Sequence, residues 1–205
     1  MPKDEQVLCF RLRDLEPLLG GPLPQGAFPG PPPETLLALP QHFLPRSRAE
    51  HDPAYKQLIP YQLFQFRERF FVYQRGGGVG EQRLSGRFSV GIGGHINTGD
   101  AENGLLLPAA YQQALRRERI EELTGAGEVA TAFLGWINDD SDPVGQVHLG
   151  AVHIDTVMTP DGLCIREKSE DLHAHGWWSA EEIMAQGDRF EKWSLLAVDL
   201  ANKRS

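Results

Sequence analysis

The sequence predicts a layered α/β or α+β domain, and two observations carry that prediction. Several segments rich in β-branched and aromatic residues are separated by glycine turns, which is typical of short strands. Helical patterns are few and stand between or after these segments, so helices are expected to pack on a mixed sheet. No internal repeat is visible in the 205 residues, and the length suits either one large domain or a domain with an extension.

The N-terminal part contains one clear break in regular structure. Residues 20–33, GGPLPQGAFPGPPP, include ten glycines or prolines, so we expect neither helix nor strand there. A strand is expected before the break, over residues 6–15, and a short helix after it, over residues 34–44. We therefore predict that residues 1–55 form an extension packed on a main domain of residues 56–205.

The main domain shows a more regular pattern. A turn at Arg67-Glu68 joins two expected strands, SAEE offers a capping box of Ser179 with Glu182, and a further helix is expected over residues 189–203. The strands are expected in five segments: YQLFQF (61–66), RFFVYQ (69–74), RFSVGIGGHI (87–96), EVATAFLGWIN (128–138) and GQVHLGAVHIDTV (145–157).

Composition and charge limit the partners. The formal net charge is −8, so duplex nucleic acid is not an expected partner. Cys9 and Cys164 are too few for a disulfide framework. The start, MPKDEQ, lacks the features of a signal peptide, and no apolar run reaches membrane-spanning length. We expect a cytoplasmic protein with no membrane partner; the oligomeric state is left open, a homodimer being one option.

The most informative segment, LRRERIEEL, predicts a helix with three glutamates on one side. At about 100° per residue, Glu118, Glu121 and Glu122 fall within an arc of roughly 100°. Like charges this close oppose folding, and apolar residues such as Leu115 continue the same stripe. A solvated face would normally mix the signs, so a positive charge is expected beside these carboxylates.

A divalent cation fits that expectation. Mg²⁺ and Mn²⁺ favour oxygen ligands, and Mg²⁺ is usually held by one or two carboxylates together with waters and substrate phosphates. Arg117 lies four residues before Glu121 and is expected to hold that carboxylate from the side. The alternative is an exposed helix whose ion pairs only face water.

GGHINTGD followed by this helix resembles the Nudix box, in which Gly, five residues, Glu and seven residues precede Arg-Glu-(apolar)-x-Glu-Glu-x-Gly. The resemblance covers roughly residues 56–205 and implies an α/β/α sandwich with a mixed β-sheet. Within the family, PRSRAEHDPAYKQLIPY and GIGGHIN resemble a bacterial branch described as predicted phosphoesterases. The residues that match are Gly94, Arg117, Glu118, Glu121 and Glu122.

The match departs from the family pattern in several places. Asp100 replaces the first Glu, and its shorter side chain is expected to reach a metal through water or not at all. Sixteen residues instead of seven separate it from Arg117, so residues 101–110 contain an insertion, which we expect to fold near the mouth of the site. Arg119-Ile120 reverses the apolar-then-variable order, and the closing glycine, Gly125, comes one place late.

The resemblance implies Mg²⁺- or Mn²⁺-dependent hydrolysis of a phosphoanhydride in a small phosphorylated substrate, such as a nucleoside diphosphate linked to another group. It implies Glu118 and Glu122 as metal ligands, Glu121 as a further ligand or the base acting on water, and Asp100 as an additional ligand. The predicted substrate contacts are Gly93, Gly94, His95, Lys56 and Arg87, with Arg46, Arg48 and Arg83 as further candidate phosphate contacts.

Two other functions remain open. Isopentenyl-diphosphate isomerases share this fold and carry Cys-Gly-His at a similar place, where Gly93 of this chain lacks the thiol. A non-catalytic nucleotide-sensing module is the other, and the intact glutamates argue against it. His95 could instead be hydrogen-bonded to its turn, and His148 and His153 are expected to point to opposite faces of one strand.

Overall fold

The structure is a computed structural model that describes residues 4–76, 86–125, 127, 129–166 and 172–203, so the candidate contact Arg83 lies outside the described residues. Strands and helices are mixed along the chain, which confirms the predicted fold class. No helix within these ranges is long and apolar enough to cross a membrane.

The described strands are β1 (Gln6–Arg11), β2 (Gly26–Phe28), β3 (His42–Pro45), β4 (Tyr55–Phe66), β5 (Arg69–Arg75), β6 (Phe88–Ser89), β7 (Gly91–Gly93), β8 (Leu123–Thr124), β9 (Ala130–Asn138), β10 (His148–Thr156), β11 (Cys164–Ile165) and β12 (Leu172–Ser179). The described α-helices are α1 (Leu12–Leu18), α2 (Pro33–Leu36), α3 (Arg46–Ala49), α4 (Pro108–Glu122), α5 (Ala180–Met184) and α6 (Lys192–Asn202).

Most elements with a strong local signal are present. β4 and β5 form the expected hairpin, and Arg67 in its turn takes the left-handed conformation, with φ of 55°. Helix α5 begins with the expected capping box: the Glu182 N–H donates to the Ser179 hydroxyl, and the Ser179 N–H donates to the Glu182 carboxylate. The predicted C-terminal helix is α6.

The prediction that residues 20–33 contain neither helix nor strand is wrong. β2 lies within this segment and pairs antiparallel with β9, with Gly26 opposite Asn138. The three residues of β2 are not prolines and keep their N–H groups, so they can form the ladder. Pro33 begins α2, a position where the missing N–H of proline has no helical partner to lose.

Three other predicted elements are shorter than expected. The strand predicted over residues 6–15 ends at Arg11, where α1 begins. The helix predicted over residues 34–44 ends at Leu36 and is followed by β3. The strand predicted over residues 87–96 is divided into β6 and β7.

The chain divides into two compact units. The first unit comprises Met1–Tyr61, Gly93–Arg116 and Gly135–Val152, and the second comprises Gln62–Ile92, Arg117–Leu134 and His153–Ser205. In the first unit, β1 pairs antiparallel with β3 and with β4. In the second, β5 pairs antiparallel with β12, with the end of β4 and with β6. The extension boundary near residue 55 stays a prediction.

The core of the second unit holds the end of helix α4. Phe64, Phe71, Tyr73 and Val157 form a buried cluster with Leu123, which directly follows the last residue of α4. Because protein cores are close-packed, this end of the helix cannot shift without opening the cluster. The short strand β8 then continues from the helix and pairs antiparallel with β11.

The predicted insertion folds as a tight turn in the first unit. Glu102 and Leu105 exchange two backbone hydrogen bonds, of 2.9 and 3.0 Å, and both residues between them have positive φ. The Gln41 amide accepts from the Leu106 N–H at 2.7 Å and donates to the Leu106 carbonyl at 3.0 Å. The loop is therefore tied to its own unit and is shorter than expected, since α4 begins at Pro108. Its closeness to the mouth of a site stays a prediction.

Gly125 provides a test of the chain path after α4. Its φ is 77°, and a Cβ there would lie 1.4 Å from the carbonyl oxygen of Gly162. We expect Gly125→Ala to lower the free energy of unfolding by about 3 kcal/mol, from left-handed strain and overpacking together. Gly104→Ala is the matched control, because Gly104 has a φ of 78° but open space around its Cα, and only strain of about 1 kcal/mol is expected. Urea unfolding of both variants measures the difference; equal losses would contradict the predicted clash.

Candidate functional site

Helix α4 carries its most buried carboxylate on the same stripe as its apolar residues, as predicted. Tyr111 and Leu115 are buried, and Glu118, on the next turn of this stripe, is only 8% exposed. Glu122 is half-buried, whereas Glu121 is exposed. The three glutamates therefore differ in environment, and Glu118 is the one whose charge needs a close positive partner.

Arg117 supplies that positive charge. Its Nη1 lies 2.8 Å from Oε1 of Glu118 and 3.2 Å from Oε1 of Glu121. The contact with Glu121 confirms the expectation from the spacing, and the contact with Glu118 is additional. One guanidinium thus bridges two carboxylates and reduces the repulsion between them.

Arg119 accounts for the reversed order of residues after Glu118. Its side chain is 13% exposed, and its Nη1 lies 3.0 Å from Oδ2 of the fully buried Asp155. Thr131 donates to the other oxygen of Asp155 at 2.5 Å. Burial raises the pKa of Asp155, although these two bonds oppose the rise. The helix therefore buries a charged pair where the Nudix pattern has an apolar residue, and the apolar Ile120 is left exposed.

The last turn of α4 is also held at its carbonyl end. The Arg166 guanidinium donates to the carbonyls of Ile120 at 2.7 Å and Leu123 at 3.4 Å, and the Arg166 N–H donates to the Glu122 carbonyl at 2.8 Å. A cation at a helix C-terminus is favourable, and here it offsets glutamates that lie at the unfavourable end of the helix dipole. Sequence reasoning missed Arg166 and Asp155, because they lie 46 and 36 residues from their partners on α4 and no periodic pattern links them.

The donor set at the end of α4 suits a hard divalent cation. Glu118 and Glu122 are one helical turn apart and neither is fully exposed, and Mg²⁺ is usually held by one or two carboxylates with waters and phosphates. Across the described ranges, no group of three or more His, Cys, Asp or Glu side chains is arranged to hold a metal. The residues therefore fit a cation whose coordination is completed by water and substrate oxygens, and do not form an all-protein cage.

Asp100, the predicted additional ligand, closes a turn in the first unit. Its Oδ2 accepts the N–H of Asn97 at 3.0 Å, and its own N–H donates to the Asn97 carbonyl at 3.0 Å. The carboxylate therefore has a structural use, and metal binding by Asp100 stays a prediction.

Gly93 lies in a confined place. A Cβ there would lie 3.1 Å from the carbonyl oxygen of Pro60 and 3.1 Å from Cδ2 of Tyr61. Side-chain contacts this tight are rare, so any other residue would require its neighbours to move. This favours glycine over the cysteine of the isomerase alternative. Substrate contact through the backbone of Gly93 and Gly94 stays a prediction.

His95 lies against His148 in the first unit. Their Nε2 atoms are 3.4 Å apart, and Nδ1 of His148 is 2.6 Å from the Val144 carbonyl oxygen. Burial, the charge of Arg46 and the neighbouring His148 lower the pKa of His95 to about 3. His95 is therefore neutral near pH 7, and any phosphate contact by this ring would be a neutral hydrogen bond.

Two predicted phosphate contacts are engaged with the protein itself. Lys56 is 2% exposed, and its Nζ lies 2.6 Å from Oδ1 of Asp140 and 3.0 Å from the Gly145 carbonyl oxygen. The Arg87 guanidinium donates to the Asp188 carbonyl at 2.8 Å. Phosphate binding by Lys56 stays a prediction, and it would have to compete with this ion pair, whose lysine end is buried. Arg87 as a phosphate contact stays a prediction.

Two histidines with a lowered pKa, His95 and His153, predict a pH dependence of stability. The pKa is lowered to about 3 at His95 and, by burial, to about 4 at His153, against about 6.5 in an unfolded chain. Between these values the unfolded state binds more protons, so the free energy of unfolding falls as the pH falls from about 6.5 towards 4. Urea unfolding at several pH values should show a smaller slope for His95→Gln with His153→Leu than for the wild type. The exposed His51→Gln is the control, and an unchanged slope in the double variant would refute the assignment.

One curated relative is similar over most of the chain. This chain is 33% identical over 163 residues to Protein YmaB of Bacillus subtilis (strain 168), a match that covers 76% of this chain and 75% of YmaB. No protein-family model matches the chain.

Solved structures share the fold. Tm1382, a candidate Nudix hydrolase, matches with a TM-score of 0.76 at 24% identity, covering 98% of this chain and 100% of Tm1382. The Nudix domain of NrtR from Shewanella oneidensis, solved in complex with ADP ribose, matches with a TM-score of 0.53 at 16% identity, covering 73% of this chain and 88% of that domain. At these identities the similarity shows the fold, which is the Nudix fold that the sequence predicts.

Proposed function

This chain belongs to the same family as Protein YmaB and has the Nudix fold, and from that premise we propose that it is a metal-dependent hydrolase of phosphoanhydrides. The observation that carries the proposal is the end of α4, where the buried Glu118 is paired with Arg117 and Glu122 follows one turn later. Like charges on a half-buried stripe destabilise a helix, and a purely structural role gives no reason for placing them there. A bound cation would remove that cost.

The roles of the α4 residues follow from their surroundings. Glu118 and Glu122 would hold the cation, because they lie on the buried side of the helix. Arg117 would keep Glu118 oriented through its 2.8 Å contact. The exposed Glu121 would be a further ligand or the base that takes a proton from water. When bound, Mg²⁺ or Mn²⁺ supplies positive charge to phosphoryl oxygens and lowers the pKa of a bound water.

The proposed substrate is a small molecule with a phosphoanhydride, such as a nucleoside diphosphate linked to another group. The ADP ribose bound by the Nudix domain of NrtR supports this class. The net charge of −8 disfavours duplex nucleic acid, and a small anion is compatible with it only if a cation neutralises part of the site. A cytoplasmic location is part of the proposal, and a homodimer remains one option for the assembly.

The test is Glu122→Gln, which keeps size and hydrogen bonding but removes one negative charge. Stabilisation of phosphoryl-transfer charge by a metal amounts to several kcal/mol, so we expect turnover to fall by about 10² or more. Fold stability should hold or rise, because a like-charge cluster is relieved. The measurement is phosphoanhydride cleavage across nucleoside triphosphates, nucleotide sugars, dinucleotides and prenyl diphosphates, with Mg²⁺ or Mn²⁺, together with thermal melts.

Glu68→Gln is the matched control, since Glu68 is an exposed glutamate in the turn between β4 and β5. It should leave turnover unchanged. Wild-type turnover in Glu122→Gln would exclude Glu122 as an essential ligand. A wild type that binds nucleotides without cleaving them would favour the sensing module, and rearrangement of a prenyl diphosphate without phosphate release would favour the isomerase.

A further inference from the structure

We infer that Arg119 is a positioning residue, which sets the rotation of the last turn of α4 through its buried pair with Asp155 and thereby holds Glu118 and Glu122 in place for a divalent cation. This inference rests on the proposed function. It extends that function to residues that follow neither the family pattern nor the spacing of the glutamates. All four residues belong to the second unit.

The helix couples Arg119 directly to the carboxylates. Arg119 is adjacent to Glu118 and three residues before Glu122, and about 100° of rotation separates neighbours on an α-helix. A hydrogen-bonded helical turn moves as a unit, so a side chain fixed on one side fixes the direction of the next residue. With Arg119 held 3.0 Å from Asp155, the rotation of the segment that bears Glu118 is set.

Asp155 is itself a rigid partner. It is fully buried in β10, and both carboxylate oxygens are occupied, one by Arg119 and the other by the hydroxyl of Thr131 in β9 at 2.5 Å. Its carboxylate therefore cannot rotate without leaving a buried polar atom unpaired. Arg119 is consequently fastened to a fixed point on two strands.

Stability alone gives no reason for a charged pair at this place. Replacing a buried ion pair by apolar residues of similar volume is often neutral or stabilising, because the desolvation of both charges is avoided. An apolar contact, however, tolerates sliding and rotation, whereas a hydrogen bond loses strength quickly when its geometry changes. The charged pair therefore fixes the rotation of the last turn of α4. A helix end that binds a metal requires this, because its carboxylates must point in fixed directions.

The decisive variant replaces the pair by apolar residues, Arg119→Met with Asp155→Leu. We expect its unfolding midpoint to equal or exceed that of the wild type. We expect the Kd for Mn²⁺, measured by the electron paramagnetic resonance of free Mn²⁺ without substrate, to rise tenfold to hundredfold, the usual effect of losing a residue that supports a metal ligand. The kcat for the cleaved phosphoanhydride should fall by a similar factor.

Two further variants keep the test decisive. Arg119→Lys retains the charge but not the planar fork, so it should fold and show an intermediate Mn²⁺ affinity even if the double variant does not fold. Lys203→Met removes an exposed ion pair with Asp199 and should change neither measurement.

The outcomes separate the inference from the proposed function. Wild-type Mn²⁺ affinity and kcat in a stably folded double variant would overturn the positioning role while leaving the hydrolase intact. If the double variant does not fold, wild-type values in Arg119→Lys would overturn it in the same way. A wild type that neither binds Mn²⁺ nor cleaves any phosphoanhydride would overturn both.

Discussion

The burial of the Glu118 carboxylate is the constraint on which the end of helix α4 depends. A charge only 8% exposed must be neutralised nearby, and Arg117 does so at 2.8 Å. The same guanidinium also reaches Glu121, so it cannot be removed without leaving a buried charge and restoring the repulsion between two glutamates. Three glutamates at this spacing oppose helix formation, and the shared arginine reduces that repulsion.

Arginines on three sides of one helix end have separate effects. Arg117 faces the carboxylates and Arg119 faces the buried Asp155. Arg166, the residue after β11, donates to carbonyls at the end of the helix. The first compensates charge, the second sets rotation, and the third caps the helix. With Leu123 packed in the core directly afterwards, the segment has little freedom to move, and such rigidity is what a site of defined geometry needs.

The first unit shows how burial changes the chemistry of a polar residue. Lys56 is a predicted phosphate contact, and its buried side chain pairs with Asp140 at 2.6 Å. His95 is a polar ring beside a glycine turn, yet burial and nearby Arg46 keep it neutral. In both cases the residue type suggests a ligand, and the surroundings decide how much charge the residue can offer.

Local patterns determined much of this protein from its sequence. The hairpin around Arg67, the capping box of Ser179 and Glu182, and the carboxylate stripe of α4 all follow from neighbours within a few residues, where the spacing specifies which side chains meet. The tertiary structure decided the rest. β2 forms in a proline-rich segment because β9 provides an antiparallel strand with which it pairs. Asp155 and Arg166 contact residues of α4 that are 36 and 46 positions away in the sequence. Periodicity tells which face of an element is buried, but the partner on the other side depends on chain reversals and strand register, which no local pattern records.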